Sequence, residues 1–133
     1  MRIVLDTNAL VSGLLNPFGP PGRILDLVTT GDIVLQYDDR ILSEYRAVLA
    51  RDRFGFEVRD VKAFLTYVER HGEPVVARKV AVRLQDPDDR PFLEVAIAGS
   101  ADVLVTGTVR HFHSRGGQYR VKVQTPGRFL RSL

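Results

Sequence analysis

Three carboxylates stand where carboxylates are awkward. Asp6 follows the apolar triplet Ile3-Val4-Leu5, at the carboxyl end of a first strand, where open α/β sheets place their ligand sites. Asp6-Thr7-Asn8 also reads as a helix start, because all three residue types cap well; capping and chemistry can coexist there. Asp89 lies in Asp86-Pro87-Asp88-Asp89-Arg90-Pro91-Phe92-Leu93. At about 100° per residue it falls near the centre of the stripe of Phe92, Leu93, Ala96 and Ile97, and Asp88 falls well off it. Asp86 as cap, Pro87 in the first turn and acids at the helix start explain why carboxylates occur here. They do not explain why the inward position is one of them, where Leu or Ile would avoid the cost of burying a charge. Glu44 is at the edge of the stripe of Ile41, Tyr45 and Val48, and alone it reads as a boundary residue with its tip in water.

Together the three mean more. Each lies on or beside a core-facing surface, on elements that a parallel sheet would bring to one edge. Two carboxylates ~4 Å apart at an effective dielectric of ~20 repel by about 4 kcal/mol. Such a cluster persists if it is protonated, paired with Arg or Lys, or holding a cation. Oxygen ligands without His or Cys suit Mg²⁺ or Mn²⁺, and phosphodiester hydrolysis uses such ions. Val103-Leu104-Val105-Thr106-Gly107-Thr108 ends another strand at the same edge. Thr106 and Thr108 could orient a water or a phosphate, and Gly107 would let backbone approach closely; a plain strand-to-loop turn accounts for these residues equally well.

The elements that must position these groups alternate between strand and helix, which favours an α/β fold with a mostly parallel sheet. Fully apolar strands are expected at Ile3-Val4-Leu5, Ile33-Val34-Leu35 and Val103-Leu104-Val105, as doubly covered parallel strands should be. Shorter strands are expected at Val75-Val76 and Val121-Lys122-Val123. Helices are expected around 9–15, 23–30, 40–51, 58–71 and 88–98, with a loop over 16–22. Thr125 caps a terminal helix with Pro126 in its first turn. No repeat, low-complexity tract or linker interrupts the chain, so residues 1–133 read as a single domain.

Composition narrows the class further. The chain has 133 residues, 44% of them hydrophobic and 26% charged, ordinary for a globular protein. With no cysteine there is neither a disulfide framework nor thiolate chemistry, which fits a reducing compartment. The opening apolar run is too short for a signal peptide, and no apolar run reaches the ~18 residues of a membrane helix. The expectation is a cytoplasmic protein with no membrane partner. The net charge of +3, carried by sixteen Arg against three Lys, permits a nucleic-acid partner without requiring one. Arginine suits phosphate contacts, and GC-rich codon usage explains the bias equally well.

Four segments in order, Ile3–Asn8, Ile41–Leu49, Asp86–Ala96 and Ala101–Gly107, with the tail from Thr125 to Leu130, resemble the PIN-domain family. The closer likeness is to the toxin components of toxin–antitoxin pairs, the VapC-like branch. The resemblance covers nearly the whole chain. It implies a three-layer Rossmann-like fold with a mostly parallel central sheet flanked by helices. It implies an endoribonuclease for single-stranded RNA that uses Mg²⁺ or Mn²⁺, with Asp6, Glu44 and Asp89 as metal ligands and with Asn8 and Thr106 completing the catalytic set. It also implies a homodimer silenced by a cognate antitoxin. One departure matters: where the family often carries a fourth acid, two residues after the matching threonine, this chain has Thr108. One-metal chemistry, weak activity or a different metal preference are the alternatives this departure opens.

Two other readings compete. Thr108 motivates a degenerate PIN-like module that binds RNA or a partner and cuts nothing. An aspartyl-phosphate enzyme with Asp6 as nucleophile would resemble the haloacid-dehalogenase pattern Asp-x-Asp-x-Thr, from which Asn8 and Leu10 depart. His111 and His113 read as structural or surface residues, and His71 as a favourable helix end. Arg110, Arg115 and Arg120 could line an RNA path or be solvated charge, and Tyr37, Tyr45 and Tyr67 have no spacing that makes a stacking platform.

Overall fold

The computed structural model describes residues 1–113 and 119–133; Arg115 lies outside them. Among the described residues five strands form one sheet in the order β3-β2-β1-β4-β5, and every pairing there is parallel. The strands are β1 (Arg2–Leu5), β2 (Val34–Tyr37), β3 (Glu73–Pro74), β4 (Val103–Val105) and β5 (Val123–Gln124). Successive residues of a strand face opposite sides. Since Ile3, Val4 and Leu5 are all buried, as are Val103, Leu104 and Val105, both faces of the central strands are covered, as the α/β expectation required.

Helices supply the cover: α1 (Thr7–Leu15), α2 (Pro20–Thr29), α3 (Asp39–Leu49), α4 (Val58–His71), α5 (Arg90–Ala98) and α6 (Pro126–Arg131). Helix α5 packs across β2, β1 and β4, while α2 packs against α1 and α6. Tyr45, Phe92, Phe112 and Phe129 are the largest fully buried side chains. None of the helices in the described residues is long and apolar enough to cross a membrane.

Element boundaries differ from the sequence expectation for local reasons. Helix α2 starts at Pro20, inside the expected loop, because a proline in the first turn needs no N–H partner and pre-sets φ. Gly22 is required there: a Cβ would sit 2.5 Å from the backbone of Pro17. The helix expected from residue 88 begins at Arg90, preceded by a 3₁₀ turn over Pro87–Asp89 whose cap, Asp86, accepts the Asp88 N–H at 2.9 Å. The strand expected at Val75-Val76 is instead Glu73–Pro74. Gln36 and Tyr37 pair with those residues, and Gln36 Nε2 donates to Glu73 Oε1 at 2.9 Å, whereas Val76 is 93% exposed. Strand β2 runs two residues past Leu35, and β5 is Val123–Gln124 because those two align with Leu104 and Val105. Thr125 caps α6 as expected, accepting from Arg128 N at 3.2 Å.

The stretch between β3 and the 3₁₀ turn has no regular structure, yet it must deliver Asp89 to its place. An ionic knot around the buried Glu94 carboxylate holds it. Glu94, on α5, accepts Arg40 Nη1 at 2.7 Å and Val80 N at 2.9 Å. Arg90 donates to the carbonyls of Val80 and Val82 and lies 3.4 Å from Glu94. Burial alone would push the Glu94 carboxyl up, but the Arg40 and Val80 hydrogen bonds and the two guanidinium charges hold it below the usual range. Glu94→Ala should lower stability by roughly 2–4 kcal/mol, the loss of charged hydrogen bonds plus the stranding of donors. The urea midpoint would register that loss, and amide exchange of residues 78–85 should speed up. An unchanged midpoint would mean the knot does not hold the segment.

Candidate active site

Strand order reverses at β1: the chain moves outward through β2 and β3, then returns to place β4 and β5 on the other side. Crevices at such switch points, beyond the carboxyl ends of the strands, are where open α/β sheets bind ligands. Leu5 pairs with Val105, so the next residues of the two strands, Asp6 and Thr106, meet at that edge. Thr106 Oγ1 donates to Asp6 Oδ2 at 2.7 Å, and Thr7 N donates to Oδ1 at 2.8 Å. Asp6 is 4% exposed. Burial raises its pKa; the Thr106 and Thr7 hydrogen bonds oppose that rise without cancelling it.

The turn after β4 is tied to α1 by neutral groups. Asn8 Oδ1 accepts Gly107 N at 3.0 Å, and its Nδ2 donates to Thr108 Oγ1 at 3.2 Å. Thr108 N donates to Thr106 Oγ1 at 3.1 Å. Asn8 therefore uses both ends of its amide to position the turn, and Thr106 orients Asp6.

Glu44 reaches the same place from α3. Asp38 caps that helix, accepting Ile41 N at 3.1 Å, and the fully buried Tyr45 donates its hydroxyl to the carbonyl of Leu5, at the end of β1. That bond ties the Glu44 turn to the strand that carries Asp6. Thr7 Oγ1 donates to Glu44 Oε2. Burial raises the Glu44 pKa, the Thr7 hydrogen bond opposes it, and the charges of Asp6, Asp88 and Asp86 push it up again.

Asp89 faces inward and Asp88 outward, as the helical spacing predicted: the Asp89 side chain is 14% exposed and Asp88 is exposed. Among the described residues Asp89 Oδ2 is buried with no hydrogen-bond partner. Burial first, then the charges of Asp6, Asp86, Glu44 and Asp88, push the carboxyl up to about 7. His111 Nδ1 stands 3.7 Å from that oxygen, too far for a hydrogen bond.

Asp6, Glu44 and Asp89 thus surround one cleft of about 440 Å³. Among the described residues no three acidic or imidazole groups are already gathered as a metal cage; the carboxylates stand around a space. What they offer suits a hard cation all the same: oxygen donors only, each destabilised as an anion, one with an orphaned buried lone pair. Sequence reasoning overlooked the Thr7 hydroxyl, set His111 aside, and missed Arg51, Arg53 and Phe54, which line the cleft too. In the helix expected over 40–51 the i, i+4, i+7 series Glu44, Val48, Arg51 shares one face and would have signalled the arginine, although α3 ends at Leu49 and Arg51 reaches the cleft from the turn beyond it.

The raised Asp89 carboxyl has a consequence for stability. Its folded pKa of about 7 exceeds the ordinary 3.8. Its contribution is therefore fully present below pH ~4 and is lost as pH rises through about 7. In metal-free protein Asp89→Asn should leave Tm unchanged near pH 4 and raise it by several degrees at pH 8. A thermal melt series across that range would show it; a variant less stable than wild type at pH 8 would contradict the assignment.

Comparison with known proteins agrees with this architecture. Residues 2–110 match the family model described as PIN domain. The uncharacterized protein MJ1680 of Methanocaldococcus jannaschii is 30% identical over 143 residues, spanning 98% of this chain and 90% of that protein. In the crystal structure of VapBC2 from Rickettsia felis bound to a DNA fragment from their promoter, one chain superposes with a TM-score of 0.56 at 14% identity, covering 94% of this chain and 98% of that one. That likeness extends to the fold. The sheet order, the carboxylates at its switch point and the match over residues 2–110 lead to one statement: the chain belongs to the PIN domain family.

Proposed function

We propose that this protein is a Mg²⁺- or Mn²⁺-dependent endoribonuclease that cuts single-stranded RNA. The observation that carries the proposal is the desolvated acidic cleft, above all the partnerless buried oxygen of Asp89 beside Asp6 and Glu44. Asp6, Glu44 and Asp89 would hold the ion, which when bound supplies the positive charge that phosphodiester hydrolysis needs. The chain's own work is preparation. Thr106 and the Thr7 N–H fix the Asp6 carboxylate, the Thr7 hydroxyl fixes Glu44, and Asn8 with Thr108 holds the turn that carries Thr106.

The resemblance to toxin–antitoxin toxins, and the fold shared with a chain of the VapBC2 complex, extend the reading. The protein acts in the cytoplasm as a homodimeric toxin silenced by a cognate antitoxin.

A mixed single-stranded RNA pool with Mn²⁺ or Mg²⁺ should be cleaved by wild type and left intact by Asp6→Asn or by wild type in EDTA. The expected loss is about a hundredfold or more, as when electrostatic stabilisation of the transition state is removed. Cleavage that survives in Asp6→Asn would refute the assigned site.

A second reading, a binding module that cuts nothing, is favoured by Thr108, whose hydroxyl accepts from Asn8 where the family often has an acid. Thr108→Asp adds a fourth carboxylate. If its absence limits the site, Mn²⁺ affinity in a calorimetric titration should tighten about tenfold; no gain would mean that Thr108 is not what weakens the metal site.

A further inference from the structure

The acidic cleft has a cationic wall. Helix α3 presents Glu44 and Val48 along one side of the cleft; just past its end stand Arg51 and, from the 3₁₀ turn Asp52–Phe54, Arg53 and Phe54. Among the described residues neither Arg51 nor Arg53 is ion-paired, although carboxylates line the same cleft. The turn is built to hold shape. Phe54 N donates to the carbonyl of Arg51, and Gly55 N to that of Asp52, each at 3.1 Å. Gly55 has φ +67°, a conformation that glycine adopts without strain. The Arg53 guanidinium lies 4.7 Å above the Phe54 ring. Phe54 in turn stacks on Phe56 at 5.9 Å between centroids. A guanidinium laid on a ring is already oriented and keeps its N–H edge for an anion.

A polyanionic strand entering a cleft lined by carboxylates is repelled unless a cation holds it nearby. We propose that Arg51 and Arg53 are the phosphate grip of this site: they bind the RNA backbone phosphate next to the one presented to Asp6, Glu44 and Asp89. The inference rests on the ribonuclease reading for its ligand and on the geometry of the wall for its residues. Holding a neighbouring phosphate contributes equally before and during the chemical step, so the grip sets KM and leaves kcat alone.

The test uses the full chain carrying Asp6→Asn, so that RNA is bound and not cut, with a fluorescein-labelled single-stranded RNA of mixed sequence read by anisotropy across a KCl series. Adding Arg51→Ala and Arg53→Ala should raise Kd about tenfold or more, as expected for two charged hydrogen-bonding groups. The slope of log K against log salt should flatten by about 0.7 per arginine. Arg51→Lys with Arg53→Lys should keep the slope. In the chain with Asp6 restored, the alanine pair should raise KM with kcat unchanged, and melting temperature checks that it folds.

An unchanged Kd and salt slope in the alanine pair would overturn the proposal. So would equal weakening by alanine and lysine without a slope change, which is the signature of a structural role. Absence of RNA binding, with arginine-dependent binding of a poly-glutamate peptide instead, would overturn it in favour of an acidic protein partner. Arginine-dependent RNA binding by a chain whose wild type never cleaves would uphold the grip and remove the nuclease reading, so the two fail separately.

Discussion

Parallel pairing of β1 with β4, in the register that sets Leu5 beside Val105, is the constraint from which the site grows. It brings the first residue past each strand to the same edge, so a carboxylate and a hydroxyl meet without either leaving the sheet. The Asp6 backbone N–H still donates to Val105 at 2.9 Å, which fixes the side chain's root. The turn beyond β4 is then closed by Asn8, whose position in the first turn of α1 follows from the same strand end. Tyr45 adds α3 to this frame through the Leu5 carbonyl. The burial of Tyr45, with Asp6 and Glu44 nearby, raises the phenol's pKa, so it remains a hydrogen-bond donor throughout the accessible pH range.

Within that frame charge is distributed unevenly. Two acids five residues apart, Asp89 just before α5 and Glu94 in its middle, meet opposite fates. Glu94 is held by Arg40, Arg90 and the Val80 N–H, and its carboxyl is depressed. Among the described residues Asp89 has no hydrogen-bond partner for its buried oxygen, it faces other acids, and its carboxyl is raised. The first arrangement holds an irregular segment in place; the second stores repulsion that a bound cation would relieve. A site that is destabilising in isolation and satisfied by its ligand is a common trade between stability and function.

The wall formed by Arg51 and Arg53 completes the asymmetry. Acids gather where the strands end, and cations gather where α3 ends and its turn begins. Helix α3 therefore links the two poles, carrying Glu44 near its middle and leading to the arginines at its carboxyl end, where its own dipole favours positive charge.

The sequence by itself determined the local terms. Apolar triplets defined β1 and β4, because both faces of those strands are covered. Helical spacing turned Asp89 inward and Asp88 outward even though the first turn proved to be 3₁₀, since one turn of either helix keeps the same side facing the core. Strand edges were less legible: Glu73–Pro74 pairs with Gln36 and Tyr37 and gains a Gln36 side-chain contact, whereas Val75-Val76, with the better strand composition, keeps only the Val75 N–H bond to the Tyr37 carbonyl. Tertiary structure alone decided which charges meet. Whether Glu94 finds Arg40 while Asp89 meets other acids and only a more distant His111 depends on groups distant in the chain, and so does the meeting of Asp6 with Thr106 across 100 residues. Periodicity reports which face a residue occupies. It carries no information about what stands opposite, and the electrostatics of this cleft are set by what stands opposite.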